Sequence, residues 1–333
     1  MKDVAARLLS DIGVHAPCTW QRLAGGANNR VFRVEAGGAP YLLKAYFHDE
    51  SDPRDRLGVE FGFLTFAWEH GVRAVPRPLA VDGEAHAALY EFIAGERLAA
   101  GGVGEEEVRQ AAALAVALNA HRTEAATLPP ASEACFSLAG HLDRIEQRVA
   151  RLAAVDDDAL GAAAGFVRGE LLPAWREVAD AVRSGAARQG FHLEAVLSLS
   201  ERCLSPSDFG FHNALRCAER PADGTLRFVD FEYAGWDDPA KLLGDFRFQP
   251  AVPVPPEHHD AFAAAVLSLF DQPEWHRRRA ELLLPAYRVK WCCILLNEFL
   301  PEGAARRRFA GESSETRRQE QLAKARTLLA GSE

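Results

Sequence analysis

The stretch Ser205-Pro206-Ser207-Asp208-Phe209-Gly210-Phe211-His212-Asn213 leads into a short segment that returns as Phe228-Val229-Asp230-Phe231-Glu232. Between them, Arg220-Pro221-Ala222-Asp223-Gly224 is a turn signal, so 213–219 and 225–233 read as the two strands of a hairpin. Paired positions in an antiparallel hairpin have a constant sum. A loop at 220–224 therefore sets Asn213 opposite Asp230, to within one residue, at the open end, and Asp208 lies just before the first strand. Two carboxylates and an amide converging there form a hard-oxygen site suited to Mg2+. The same residues also fit a turn cap at Asp208 and a strand end at Asp230, and spacing alone leaves both readings open.

Upstream, Val31–Val34 and Tyr41–Tyr46 flank the turn signal Gly37-Gly38-Ala39-Pro40 and predict a second hairpin. Leu57, Phe61, Leu64 and Trp68 recur at helical spacing within 54–70, with Gly71 just beyond. Leu79–Val81 and Ala87–Ile93 read as strands around Asp82-Gly83, and Ala94-Gly95-Glu96 reads as a connector. The Gly-rich segment Leu23-Ala24-Gly25-Gly26-Ala27-Asn28-Asn29 precedes the first of these strands, and a glycine turn there can offer backbone N–H groups to phosphate oxygens or be a turn and nothing more. Lys44 stands in the apolar run Leu42-Leu43-Lys44-Ala45, where a charge needs a partner, and Glu60 on the following helix is the natural one. Lysine is scarce here: of 38 basic residues only five are lysine. A strand lysine paired to a helix glutamate is the phosphate-positioning arrangement of kinase-type folds; the other reading is a surface lysine on an edge strand.

Beyond about residue 98 the chain reads as mostly helical, over 105–122, 138–153, 160–187, 193–203, 256–270, 274–300 and 314–329. The expected organisation is a β-rich N-terminal lobe, 1–95, and a larger, mainly helical C-terminal lobe, 96–333, that contains the late hairpin. A net charge of −9 carries no chain-wide basic footprint for nucleic acid. The longest apolar run, Ala111 to Leu118, is far shorter than the ~20 residues of a membrane span. Six irregularly spaced cysteines without a C-x-x-C predict reduced thiols in a cytoplasm rather than disulfides or a zinc site. No G-x-x-x-x-G-K-[ST] motif is present, which excludes a Walker-type nucleotide site.

The order Gly25-Gly26, Lys44, Glu60, Glu91-Phe92-Ile93-Ala94-Gly95, Asp208-x4-Asn213, Asp230-Phe231-Glu232 and Gly235-Trp236-Asp237-Asp238-Pro239 resembles the aminoglycoside phosphotransferase and choline kinase-like branch of the protein-kinase fold over residues 20–245. The resemblance implies an α+β, bilobal, protein-kinase-like fold and an ATP- and Mg2+-dependent kinase that phosphorylates a hydroxyl of a small molecule such as an aminoglycoside, an amino alcohol or a sugar. It implies that Asp208 is the catalytic base, that Asn213 and Asp230 hold Mg2+, and that Lys44, held by Glu60, contacts the α/β-phosphates. Gly26 and Asn29 would lie in the phosphate-covering turn, and Glu91 and Ile93 would offer backbone groups to adenine. Lys290, Asn297 and Glu298 are polar residues on an otherwise apolar helix in the tail where substrate choice is made; they are candidate acceptor contacts, with salt bridging as their other use. Two departures from the family pattern stand out: Pro206 replaces the usual His, and the acid after Asp238-Pro239 is displaced to Asp245, expected to be structural. These departures motivate the alternative of a nucleotide-binding pseudokinase or regulator. Only eight residues separate Asp230 from Pro239, too few for the activation segment of a protein kinase.

Overall fold

Helix α1 (Lys2–Asp11) and strand β1 (Cys18–Arg22) precede a hairpin of β2 (Arg30–Ala36) and β3 (Ala39–Ala45), whose turn residues Gly37 and Gly38 have φ of 59° and 81°. A two-residue turn of this hand needs positive φ at both positions, which glycine reaches without a Cβ clash. In the computed structural model, residues 1–23, 29–48, 54–217, 225–300 and 315–331 are described. Their contacts form two units, 1–132 with 204–236 and 133–203 with 237–333. This grouping differs from a division at residue 95, because 96–132 and 204–236 count with the N-terminal sheet.

In the first unit, β4 (Pro78–Asp82) and β5 (Ala87–Glu91) complete an antiparallel sheet in the order β1-β2-β3-β5-β4. Successive strand residues point to opposite faces. One face presents Phe32, Val34, Leu43 and Leu89 to Ala5, Leu8 and Leu9 of α1, forming a continuous apolar core. Each large side chain buried there contributes roughly 1.5–3 kcal/mol. Helix α2 (Arg56–Glu69) starts at Asp55, whose carboxylate accepts from Gly58 N, and packs on β4 and β5. After β6 (Glu96–Arg97) comes α3 (Glu105–Ala120). The connector expected at 94–96 thus runs directly into a strand, with Glu96 paired to Arg216. β6 joins β7 (Ala214–Arg216) and β8 (Leu226–Phe228) in a second antiparallel sheet. The late hairpin exists, but its described strands are shorter than expected from the sequence, and its loop, 218–224, lies outside the described residues. Gly235 is required by close approach: a Cβ there would lie 2.3 Å from Pro129 O.

The second unit is helical: α4 (Leu138–Ala153), α5 (Leu172–Arg188), α6 (Pro239–Phe248), α7 (His259–Leu267), α8 (Pro273–Leu295) and α9 (Glu315–Ala330). Helix α8 packs against α4, α5, α6 and α9. The uninterrupted helix expected over 160–187 is broken by a wide turn at Val167–Leu171. It precedes Pro173, which has no N–H to donate four residues back. The helix expected over 193–203 is not formed either. Its backbone bonds to a neighbouring segment instead, Ala139 N donating to Leu193 O and Leu197 N to Phe136 O. The apolar spacing there was a false helical signal, since Val196 and Leu199 are exposed. No described helix is long and apolar enough to cross a membrane.

The Asp-Asp-Pro motif opens α6. Asp238 caps it, accepting from Ala240 N at 2.8 Å, and Pro239 occupies the first helical position, where a missing N–H costs nothing. The Asp238 carboxylate is fully buried and also meets His141 Nε2 at 2.9 Å and the Arg279 guanidinium. Burial opposes its charge, but Arg279 and then His141 outweigh it and hold its pKa below the ordinary aspartate value. Removing one partner of a buried pair strands the other charge. Arg279→Met should therefore cost on the order of 3–5 kcal/mol in urea unfolding, and adding Asp238→Asn should restore part of that loss. Equal stability of Arg279→Met and wild type would contradict this assignment.

Candidate functional site

Strand alternation decides where Lys44 goes. Leu43 faces α1, so Lys44 leaves β3 on the other face, beneath α2. Its ammonium lies 2.6 Å from Glu60 Oε2, 2.6 Å from Asp230 Oδ1 and 4.0 Å from Glu232 Oε2. Burial works against the ammonium, but Asp230, Glu60 and Glu232 together outweigh it and hold the Lys44 pKa well above its ordinary value. Burial likewise opposes ionisation of Asp230; Lys44 overcomes it and lowers that pKa. At Glu60 burial dominates and the pKa is raised.

Glu60 links three parts of this unit. Its Oε2 accepts from Lys44 and from the Tyr46 hydroxyl at 2.7 Å, while its Oε1 accepts from Phe231 N at 3.1 Å. Tyr46 and Tyr90 place their hydroxyls 2.7 Å apart. The Asn29 amide donates to Glu232 Oε2, and its oxygen accepts from Phe47 N at 3.2 Å. Glu232 therefore ties the end of the glycine-rich segment to the Asp-Phe-Glu motif.

The observed register pairs Ala214 with Phe228, and Val229 N donates to Asn213 O at 2.9 Å. Asn213 thus aligns with Val229, one position from Asp230, within the margin read from the sequence. Asn213 Nδ2 donates to Asp208 O at 3.1 Å, which closes the loop that carries Asp208 and leaves the amide oxygen pointing elsewhere. Ser207 and Asp230 adopt φ of 66° and 70°, a left-handed backbone that side chains other than glycine rarely take. Such strain costs about 1–3 kcal/mol per residue and collects at functional sites. The Asp208 carboxylate is 39% exposed, with His212 Nε2 at 3.3 Å. Where the family carries His, Pro206 stands, and other groups brace the loop. Ser205 Oγ accepts from Ser207 N at 3.0 Å, and the buried Asn119 side chain bonds both Leu204 N and Leu204 O.

A cavity of ≈ 360 Å³ opens beside Lys44, lined by Asn29, Leu42, Glu91, Ile93, Arg97 and Asp230 among others. Its size suits a small ligand, and its lining mixes apolar side chains with a few charges. Glu91 N donates to Arg77 O at 2.9 Å and its carboxylate pairs with Arg227 at 2.7 Å. The Glu91 N–H and carboxylate are therefore already engaged within the protein.

Asn29, Lys44, Glu60, Glu91, Ile93 and Asp230 thus meet around or beneath one cavity, and Asn213 joins them to the loop of Asp208. Gly26 lies outside the described residues. Lys290, Asn297 and Glu298 belong to the second unit. There Lys290 is buried and bonds both carboxylate oxygens of Asp245, at 2.7 and 2.8 Å, and Glu298 accepts from Arg317 at 3.1 Å. The Lys290 ammonium is thus an ion-pair partner of Asp245, the salt bridging named as its other use. Asn119, Tyr46, Arg97 and His212 were not singled out from the sequence. For Asn119 a signal existed, an amide inside the apolar run of α3; Arg97, two residues past Gly95, carried none.

The profile of the phosphotransferase enzyme family matches residues 19–282. No curated protein sequence matches the chain. Among solved structures, the spectinomycin phosphotransferase APH(9)-Ia, in complex with ADP and spectinomycin, is 12% identical with a TM-score of 0.61, covering 98% of each chain. The choline kinase LicA of Streptococcus pneumoniae is 14% identical, TM-score 0.58, over 99% of both chains. An ethanolamine kinase of Plasmodium vivax is 14% identical, TM-score 0.57, over 93% of this chain and 82% of its own. At such identities the likeness concerns the fold, which is protein-kinase-like: a β-sheet N-terminal part and a helical C-terminal part.

Lys44 is the cation that allows Glu60, Asp230 and Glu232 to crowd together. Without it, burial and mutual repulsion raise the pKa of Glu60 and Asp230 in the folded protein above their unfolded values, so the fold gains protons, and stability, as pH falls. In wild type, Asp230 has a lowered pKa, and its contribution is present above the unfolded value and lost as pH falls through the folded one. The deficit of Lys44→Met in urea unfolding should thus be largest near pH 8 and shrink toward pH 5. A deficit independent of pH would refute this account of the cluster.

Proposed function

Because the chain belongs to the phosphotransferase enzyme family, we propose that it transfers the γ-phosphoryl group of ATP to a hydroxyl of a small molecule, with Mg2+ as the metal. The observation that carries this reading is the Lys44 ammonium, clamped between Glu60 and Asp230 beside the cavity that Glu91 and Ile93 also line. Adenine would take the backbone at Glu91 and Ile93, and Lys44 would meet the α/β oxygens of the phosphates. Asn29 is held by Glu232 at the edge of the same cavity, while Gly26 lies outside the described residues.

The donors available for a metal are a carboxylate held ionised at Asp230 and the amide oxygen of Asn213, whose nitrogen is already engaged with Asp208 O. Both are hard oxygens, so the set fits Mg2+ and not a soft metal. Bound there, Mg2+ supplies charge neutralisation to the phosphate oxygens. Asp208 accepts the proton of the acceptor hydroxyl as its oxygen bonds to the γ-phosphorus and the bond to the ADP oxygen breaks. The protein's work is positioning and electrostatics, as for phosphoryl transfer in general.

The known structures with this fold carry spectinomycin, choline or ethanolamine in their names. We take the acceptor to be a hydroxyl compound of that kind, an aminoglycoside, an amino alcohol or a sugar. We infer a cytoplasmic setting from the ATP chemistry and the irregular cysteine spacing without a C-x-x-C. The pseudokinase alternative rests on Pro206 and the displaced Asp245, and the bracing of the loop by Ser205 and Asn119 weakens the first of these grounds.

Screened against a panel of hydroxylated metabolites with Mg-ATP, wild type should release ADP with at least one acceptor. Asp208→Ala should lower that rate roughly a hundredfold or more, while its thermal stabilisation by Mg-ATP persists. Asp230→Ala should lose both. Full turnover by Asp208→Ala removes that residue from the mechanism, and a wild type that binds Mg-ATP yet never releases ADP is a pseudokinase.

A further inference from the structure

Helices α2 and α3 end beside each other, and each is closed by a histidine at its C-cap, His70 and His121. Their rings lie 4.7 Å apart between centroids. Glu124, in the turn after α3, reaches both: one carboxylate oxygen is 3.3 Å from His70 Nε2 and the other 3.2 Å from His121 Nδ1. The three ligand atoms all lie within 4.8 Å of one another.

The His70 ring is oriented by its own helix. Its Nδ1 lies 2.8 Å from Phe66 O. A carbonyl can only accept, so Nδ1 carries the hydrogen, and in the neutral ring Nε2 presents a lone pair. That lone pair faces a carboxylate oxygen, an arrangement that needs a positive charge between the two. A second proton on the ring is one such charge and a metal ion is the other. A ligating imidazole whose far nitrogen is anchored to a backbone carbonyl is a recurrent feature of metal centres. Two helix C-termini converge on the spot, and their dipoles both favour a cation. The carboxylate turns one oxygen to each ring, at 3.2 and 3.3 Å, and zinc takes bonds of about 2.0–2.1 Å to such nitrogens and oxygens.

We propose that His70, His121 and Glu124 form a binding site for a zinc-type divalent cation that staples the C-terminal ends of α2 and α3 together. Two imidazoles and one carboxylate suit Zn2+ over Mg2+, which prefers oxygen ligands alone. His121 and Glu124 are partly exposed, with 44% and 60% side-chain accessibility, so an ion can enter and a water can complete the coordination. This site is separate from the cluster of Lys44 and does not depend on the phosphotransferase reading. Its connection to that cluster is mechanical: α2 carries Glu60 ten residues before His70.

The test uses the full chain, stripped of metal with a chelator and titrated with Zn2+ in excess Mg2+, which fills hard-oxygen sites. Calorimetry should give one tightly bound Zn2+ per chain, and Zn2+ should raise the thermal unfolding midpoint. His121→Ala and Glu124→Gln, both surface changes whose folding is checked by circular dichroism, should each weaken Zn2+ binding roughly tenfold or more and reduce the midpoint shift. Asp230→Ala should retain both. No Zn2+ binding by wild type, or binding unchanged in His121→Ala, overturns the proposal and leaves a protonated histidine pair on Glu124. Binding lost in Asp230→Ala but kept in His121→Ala overturns it as well, placing the ion at the other site.

Discussion

The ammonium of Lys44 sits where three carboxylates would otherwise repel one another. Glu60 comes from a helix, Asp230 and Glu232 from the segment after the late hairpin, and Lys44 from the N-terminal sheet. None of these charges is stable in a buried place alone, since desolvation of each costs several kcal/mol. The one ammonium offsets part of the cost of the three carboxylates, and the 39%-exposed Asp230 carboxylate is the member that faces outward. The location of α2, the course of the chain at 230–232 and the orientation of β3 are all conditions for this arrangement. An arginine in the same place would present a planar fork rather than a compact point charge. That difference accounts for a lysine here in a chain that otherwise uses arginine.

The same principle recurs in the second unit. Lys241 lies 2.7 Å from Asp237, and Lys290 holds Asp245. Three of the five lysines of the chain are therefore buried against carboxylates. Burial pushes the Asp237 pKa up to about 6 even against the pull of Lys241. Asp245, displaced from the usual family position, accepts from Lys290 and from the Trp291 indole. It organises the packing of α6 on α8.

Backbone geometry supplies the other constraint. The carboxylates of Asp208 and Asp230 are each presented by a left-handed residue, Ser207 in one case and Asp230 itself in the other. The loop before the hairpin can hold that shape because Ser205, Asn119 and Asn213 bond its backbone from three sides.

Hairpin turns, the helix over 56–69, the Lys44–Glu60 pair and the approach of Asn213 to Asp230 were legible in the amino-acid order, because each follows from local periodicity, turn chemistry or a constant register over a few residues. The helix expected over 193–203 failed because its backbone partners lie in 136–139, and no local pattern reports such a partner. Lys290 shows a related limit: a lone polar residue in an apolar helix has the same sequence whether it meets a substrate or a buried Asp245. Which face of β3 carries Lys44, which atoms of Glu91 are engaged and which histidines share a glutamate were decided by tertiary structure alone. These depend on distances between segments remote in sequence, set by the packing of helices and sheets, which the linear order constrains but does not state.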